Sequence, residues 1–115
     1  MTGIKSIALI AAAGLALAGC TSDDERVRYD GIPFTVKYKA ADKKVSRKDF
    51  IVEVKEPQQS EKGARAAAHH GGVTYCLAEA GYGTSRIIWE NDPLDEDVPL
   101  VIDGKSAVFR GKCDA

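Results

Sequence analysis

Two stretches of the chain have an apolar residue at every second position, which is typical of strands with one buried face. The first covers residues 34–38 and the second covers residues 50–54, and a charged segment separates them. We therefore expect a β-hairpin, in which Glu53 lies opposite Lys37 or Lys39 on the solvent-facing side.

The residues after Pro57 are rich in alanine, a strong helix former, and predict one helix that ends near Ala80. Ser60 is suited to cap its amino terminus, and Gly81 is suited to end it in the left-handed conformation. We expect one stripe of this helix to face the sheet, and it contains Ala66, His69, Val73, Cys76, Leu77 and Ala80.

Two consecutive glycines, Gly71 and Gly72, lie in the interior of this helix. Each glycine there costs up to about 1 kcal/mol of helix stability relative to alanine. The pair therefore predicts either a kink or a close approach of the helix to the sheet, and the sequence leaves both alternatives open.

The last third of the chain predicts three more strands. Residues 86–90 are the first, and residues 98–102 and 106–112 flank Asp103-Gly104, a strong hairpin signal. The alternation in the last strand places Cys113 on its core-facing side. The element order predicts an α+β fold, an antiparallel sheet of about five strands (ββαβββ) with one helix packed on one face.

The amino-terminal region differs sharply in composition from the rest of the chain. Lys5 is followed by an unbroken apolar run from Ile7 to Ala18. As a helix this run would span about 18 Å, which is short of the roughly 30 Å hydrocarbon core of a bilayer. It favours the apolar region of a signal peptide over a membrane span or a buried core helix, because polar residues follow at once.

The residues Leu17-Ala18-Gly19-Cys20 match all four positions of a lipobox. In this segment the chain resembles the bacterial lipoproteins. The resemblance implies cleavage before Cys20 and attachment of lipid to its thiol, and two or three acyl chains are needed for stable anchoring. It divides the chain into a signal peptide at 1–19, a polar tether at 20–30 and a domain at 31–115. An ordinary secretory signal with an incidental cysteine is the alternative.

The residue after the lipobox cysteine bears on the choice of membrane. In well-studied lipoproteins, Asp at this place favours retention at the inner membrane, and this chain has Thr21. The resemblance therefore implies a lipoprotein of the cell envelope that faces the periplasm, at the outer membrane rather than the inner one.

Two cysteines remain once Cys20 carries lipid. An even remainder outside the cytoplasm predicts a disulfide between Cys76 and Cys113. Two buried free thiols are the alternative. The two residues form no CxxC pair and are far apart in sequence, so we expect no metal site there.

The charge balance argues against nucleic acid as a partner. Removal of the leader with Lys5 leaves 15 basic and 17 acidic side chains, a net charge of −2. Domains that bind nucleic acid are usually strongly basic.

Basic residues are nonetheless concentrated around the first hairpin. They could contact anionic lipid headgroups or lipopolysaccharide phosphates on the anchoring membrane. The alternative is a hairpin tip that its charges keep soluble. The six residues are Lys37, Lys39, Lys43, Lys44, Arg47 and Lys48.

Other chemistry-bearing residues give weaker signals. His69 and His70 point about 100° apart on a helix and cannot easily share a metal ion. Thr84-Ser85 is typical of a loop, and no G-x-S-x-G nucleophile motif is present. An acidic cluster contains Glu90, Asp92, Asp95, Glu96 and Asp97. It lacks the spacing of an EF-hand calcium loop, so a solvated loop is the favoured interpretation.

Taken together, these patterns predict no catalytic constellation, no cofactor and no metal. We expect a lipid-anchored envelope protein that binds a protein partner or helps to maintain the membrane. A lipid-anchored inhibitor or immunity-type protein that binds a partner enzyme is the alternative. A sheet edge is a common place for a peptide to bind as an added strand, but the sequence does not identify the edge strand.

Overall fold

Five antiparallel strands form a single sheet in this computed structural model, which describes residues 27–115. The predicted signal peptide and Cys20 lie outside the described residues. The strands are β1 (Val36–Asp42), β2 (Ser46–Lys55), β3 (Ile87–Trp89), β4 (Val101–Asp103) and β5 (Ser106–Cys113).

The strand β1 is an edge of the sheet, followed by β2 and then β5. The predicted first hairpin is confirmed, and Lys37 lies directly opposite Glu53. The short strands β3 and β4 both pair with β5, β3 along residues 111–113 and β4 along residues 106–108. The predicted α+β class and the ββαβββ order are therefore confirmed.

The side chain of Asn91 fills the gap between β3 and β4. Its Nδ2 donates to the Val108 carbonyl at 2.9 Å, and its Oδ1 accepts from the Arg110 amide at 2.8 Å. A side-chain amide thus replaces the backbone groups of a missing strand residue, and the hydrogen bonding of β5 continues across the gap.

The helix α1 (Glu61–Thr74) continues as a π-helical turn at Tyr75–Glu79. The hydroxyl of Ser60 caps its amino terminus, accepting from the Gly63 amide at 3.0 Å. In the last turn the Ala80 amide donates to the carbonyl of Tyr75, which lies five residues earlier. Gly81 follows with φ +75°, so both predicted ends are confirmed.

The predicted buried stripe of the helical segment is wrong at most of its positions, although Cys76 is fully buried and Ala80 packs in part against the core. Leu77 is 45 % exposed, and Ala66, His69 and Val73 are only half-buried. The face that packs against the sheet contains Ala64, Ala67, Ala68, Gly71, Gly72, Tyr75 and Cys76. A hydropathy pattern does not mark this face, because alanine and glycine contribute little apolar area although they allow the closest packing.

The Gly71-Gly72 pair allows a close approach, and α1 continues through it as a helix. A Cβ atom on Gly71 would lie 2.9 Å from Cγ1 of Val36 on β1, and one on Gly72 would lie 2.6 Å from Cη2 of Trp89 on β3. The second of the two sequence-based alternatives is therefore confirmed.

The predicted disulfide is confirmed. Cys76 on the π-helical turn and Cys113 at the end of β5 are joined with an Sγ–Sγ distance of 2.07 Å, and their Cα atoms are 5.6 Å apart. Both residues are buried in the core beside Phe50, Val52 and Phe109. The bridge therefore ties the carboxyl-terminal end of the helical segment to the central region of the sheet.

The final hairpin is centred one residue later than predicted. Asp103 pairs with Ser106, so the two turn residues are Gly104 and Lys105. Gly104 has φ +62°, and a positive φ at the first central position alone is the pattern of a type II′ turn.

The guanidinium of Arg65 on α1 holds the loop between β3 and β4. The residue is only 5 % exposed. Its Nη1 donates to the carbonyls of Asp95 at 3.0 Å and Pro93 at 3.4 Å, and its Nη2 donates to that of Val98 at 2.6 Å. One buried side chain therefore fixes the backbone of the loop that contains the acidic cluster.

Candidate anion-binding cleft

A cleft of about 410 Å³ lies between the tip of the first hairpin and the π-helical turn. The hairpin supplies one side and the helical segment supplies the other. Its lining residues are Tyr38, Lys39, Ala40, Lys43, Arg47, Tyr75 and Glu79.

Three of the six basic residues predicted as an anion-contacting patch line this cleft. Lys39 comes from β1, Lys43 from the turn and Arg47 from the start of β2. The turn between the strands is fixed by Asp42, whose carboxylate accepts from the Lys44 amide at 3.0 Å. Local hydrogen bonding thus fixes the turn from which Lys43 extends.

The side chain of Arg47 is tied to the helical segment. Its Nη2 donates to the carbonyl of Glu79 at 3.3 Å. The carbonyl of Arg47 in turn accepts a 2.6 Å hydrogen bond from the hydroxyl of Tyr75, which is 3 % exposed. Burial raises the pKa of Tyr75 above its ordinary value of 10, although the nearby Arg47 guanidinium acts in the opposite direction. The phenol therefore stays neutral and keeps its donor at physiological pH.

The positive charge of the cleft is not neutralised internally. Three cationic side chains and the single carboxylate of Glu79 line it. Within residues 27–115, none of the cations Lys39, Lys43 and Arg47 forms an ion pair with a carboxylate. The cleft thus carries a local excess of positive charge on a protein whose overall charge is slightly negative.

The other three predicted cations have different surroundings. Lys37 lines a groove along the edge strand β1 with Lys39, and Lys44 lies beside Lys43 over the turn. Lys48 is directed away from the cleft, since its Nζ donates to the Ala115 carbonyl at 3.1 Å and lies 5.9 Å from the centre of the Tyr82 ring. The structure therefore brings together part of the patch and separates Lys48 from it.

The uncharged part of the cleft was missed by the sequence prediction. The predicted buried stripe of the helix does not include Tyr75, and no sequence pattern places Tyr38 next to it. The two rings lie edge to face with centroids 6.1 Å apart. Tyr75 follows Gly71 by four residues and Ala68 by seven, so a stripe drawn through the small residues would have included it.

The remaining residues with candidate chemistry are dispersed. His69 is half-buried, and His70 is exposed with its ring centroid 6.0 Å from that of Tyr29. Asp92 and Asp95 accept hydrogen bonds from backbone amides of their own loop. Across residues 27–115, no three His, Cys, Asp or Glu side chains are grouped as metal binding requires. The same residues include no helix with the length and apolar character needed to cross a membrane.

The face of the sheet opposite α1 is open to solvent and mixed in character. Ile88 is 59 % exposed and Val101 is 52 % exposed, and charged residues lie between and around them. Cross-strand pairing places Lys37 and Glu53 on this face with Val108. It is a second surface on which a partner could bind.

Comparisons with protein-family models, with curated proteins and with solved structures were made for the whole chain. None matches. The proposals below therefore depend on the residues and geometry of this chain.

Proposed function

We propose that this protein is a lipid-anchored protein of the bacterial cell envelope with a non-enzymatic binding role. The lipobox at residues 17–20 supplies the anchor through lipid on the Cys20 thiol, and the domain faces the periplasm. Thr21 favours the outer membrane over the inner one. Its partners are the membrane, through this lipid, and an envelope component that the domain binds.

The disulfide between Cys76 and Cys113 is the observation that carries this proposal. Disulfides form and persist in oxidising compartments such as the periplasm, and they are rare in the cytosol. Both cysteines are buried and already joined to each other, so Cys20 is the one cysteine of the chain with no role in this bridge. A lipoprotein with a disulfide-stabilised domain requires two cysteines for the bridge and a third one for the lipid.

The cleft beside Arg47 supports the binding role. It is concave, and its lining combines a few charged groups with the aromatic residues Tyr38 and Tyr75. Its size is in the usual range for small-ligand sites. No arrangement of nucleophile and base accompanies these groups, so binding explains them better than catalysis.

Mass spectrometry of the full chain expressed in a bacterium tests the anchor. We expect a mature protein that begins at Cys20 and carries the mass of attached acyl chains, and we expect it to partition into the detergent phase. Cys20→Ala should remain uncut and unlipidated. Cys76→Ser is the matched control, since it also replaces one cysteine but should leave the lipid in place. An unmodified Cys20, or a retained leader in the wild-type chain, would refute the proposal.

The open face of the sheet favours a second candidate function, a lipid-anchored inhibitor or immunity-type protein. The exposed Ile88 and Val101 are apolar side chains of the kind that protein interfaces bury. Crosslinking in intact cells with a photoreactive residue at position 88 separates the two functions. One stoichiometric enzyme partner, lost on Val101→Glu, would support the inhibitor, and its absence would favour the envelope-binding role.

A further inference from the structure

We infer that the cleft between the hairpin tip and the π-helical turn binds a phosphate group carried by an envelope ligand. This inference deepens the proposed binding role by naming the chemistry that is recognised. The ligand class is a phosphorylated saccharide or a phosphate-bearing headgroup, and the recognising cations are Lys39, Lys43 and Arg47.

The number and origin of the cations favour phosphate over carboxylate. The three come from β1, from the turn and from β2, so they approach a bound anion from separate backbone positions. A terminal phosphate offers three acceptor oxygens and a charge of up to −2, whereas a carboxylate offers two oxygens and one charge. Three cations therefore match the charge and the acceptor oxygens of a phosphate better than those of a carboxylate.

The guanidinium of Arg47 is held in place before any ligand arrives. One of its nitrogens donates to the Glu79 carbonyl, and its backbone carbonyl accepts from the Tyr75 hydroxyl. The planar guanidinium retains further N–H donors with the fork geometry that suits phosphate. A pre-positioned arginine loses less conformational entropy on binding than a free one.

The wall of the cleft indicates a ligand larger than a bare ion. Tyr38, Ala40 and Tyr75 contribute apolar and aromatic surface next to the cations, and the volume of about 410 Å³ exceeds what one phosphate fills. A saccharide ring or a headgroup bearing the phosphate would occupy the remaining space. The π-helical turn supports a binding role as well, because such turns are frequent at functional sites.

The cleft lies at the opposite end of α1 from the point where the tether joins the domain. Tyr29 contacts Gly63 near the start of the helix, whereas Glu79 lines the cleft. The sixteen-residue step from Gly63 to Glu79 corresponds to about 24 Å along the helix axis. The phosphate could thus belong to a soluble or polymeric ligand away from the anchoring membrane, or to a headgroup in a bilayer on which the domain lies flat.

Titration of the full chain in neutral detergent with inorganic pyrophosphate tests the inference. We expect saturable binding by calorimetry at low salt, with shifts of the Ala40, Arg47 and Ala80 amide signals in NMR spectra. Lys43→Gln and Arg47→Gln should each weaken binding about tenfold or more. Lys43 lies in an exposed turn, and its side chain makes no hydrogen bond to any of the described residues, so its replacement should leave the melting temperature unchanged. Arg110→Gln is the control, because Arg110 is an exposed arginine on β5, two strands away from the edge strand β1, and does not line the cleft.

The source of the phosphate is distinguished by two further probes. Vesicles of phosphatidylcholine with and without phosphatidylglycerol report on a bilayer headgroup, and a sugar monophosphate reports on a soluble ligand. Binding to either one that depends on Arg47 supports the inference and identifies the source.

Three results would overturn the inference: no saturable pyrophosphate binding, equal weakening by Arg47→Gln and Arg110→Gln, or equal binding of citrate. Preferential binding of hexaglutamate would instead indicate an acidic protein partner. The mass of the Cys20 lipid is measured on the same preparation, so failure of the anchor and failure of the phosphate site are read separately.

Discussion

The indole of Trp89 on β3 packs against the backbone of Gly72 on α1, and a Cβ atom on Gly72 would lie 2.6 Å from Cη2 of the ring. The ring cannot easily move away, because it also packs edge to face against Phe50, with centroids 5.4 Å apart. The helix can therefore approach this part of the sheet only with a glycine at position 72.

Gly72→Ala should destabilise the protein although alanine is the better helix former. In an open helix interior this change would add up to about 1 kcal/mol of stability. Here the added methyl group overpacks the core, and we expect the free energy of unfolding to fall by about 1–3 kcal/mol in urea titrations. Trp89→Phe should restore part of the loss when combined with Gly72→Ala. A Gly72→Ala variant as stable as the wild type would show that the contact is not limiting.

Much of the fold could be predicted because its strands alternate clearly. Residues such as Phe50 and Val52 mark one face of β2 without ambiguity. The helix gave a weaker signal, since Ala64, Ala68 and Gly71 define its buried face by their small size, which a hydropathy pattern does not record. The strand β4 is shorter than predicted. Next to it the Asn91 side chain forms hydrogen bonds with β5, and strand propensities do not describe such a contribution from a side chain.

The candidate cleft could be predicted only in part. The concentration of positive charge around Lys39 and Arg47 is visible in the sequence. Which cations share a site is decided by the packing of the hairpin against the π-helical turn, through contacts such as that of Arg47 with Glu79. Lys48 is a neighbour of Arg47 in sequence, yet its hydrogen bond to the Ala115 carbonyl directs it elsewhere.

Loss of the disulfide should be one of the larger single changes in stability. The bridge between Cys76 and Cys113 closes a loop of 38 residues. In the chain-entropy model it restricts the unfolded state by about 3–4 kcal/mol. The variant with both cysteines replaced by alanine should melt more than about 10 °C lower than the wild type.

The matched control for this prediction is Cys20→Ala, which also removes sulfur but should leave the melting temperature of the domain unchanged. Addition of a thiol reductant should lower the melting temperature of the wild type and have no effect on the double variant. Equal melting temperatures in oxidising buffer would contradict a stabilising role of the bridge.

Replacement of Arg65 should loosen the loop between β3 and β4. Arg65→Met keeps an apolar stem but leaves the carbonyls of Pro93, Asp95 and Val98 without their shared donor. Because hydrogen bonds to a charged group are strong and these carbonyls are partly buried, we expect a loss of about 2–4 kcal/mol in the free energy of unfolding. Hydrogen exchange at the Val98 amide, which bonds the Asp95 carbonyl, should accelerate as well.

Two variants separate this role from a simple loss of charge. Lys62→Met changes an exposed residue of the same helix and should leave both the stability and the exchange unchanged. Glu61→Gln removes the ion pair with Arg65, which spans 3.7 Å to a largely exposed carboxylate, and should cost well under about 1 kcal/mol. A loss with Lys62→Met as large as with Arg65→Met would refute the proposed anchoring.

The phenol of Tyr75 should make stability decrease at high pH. Burial raises its pKa above 10 in the folded protein, so above pH 10 the unfolded chain releases this proton while the folded protein retains it. The unfolded state then binds fewer protons, and the free energy of unfolding falls as the pH rises toward the folded-state pKa.

Tyr75→Phe removes this contribution and also the 2.6 Å hydrogen bond to the Arg47 carbonyl, so it should cost about 1 kcal/mol at pH 7. Urea titrations at pH 7 and pH 10.5–11 should therefore show the two stability curves converging as the pH rises. Tyr29→Phe is the comparison, because burial raises that pKa too, while within residues 27–115 the structure shows no hydrogen bond from the Tyr29 hydroxyl. It should flatten the high-pH decline without the loss at pH 7, and curves for Tyr75→Phe that stay parallel to the wild type at all pH values would contradict the prediction.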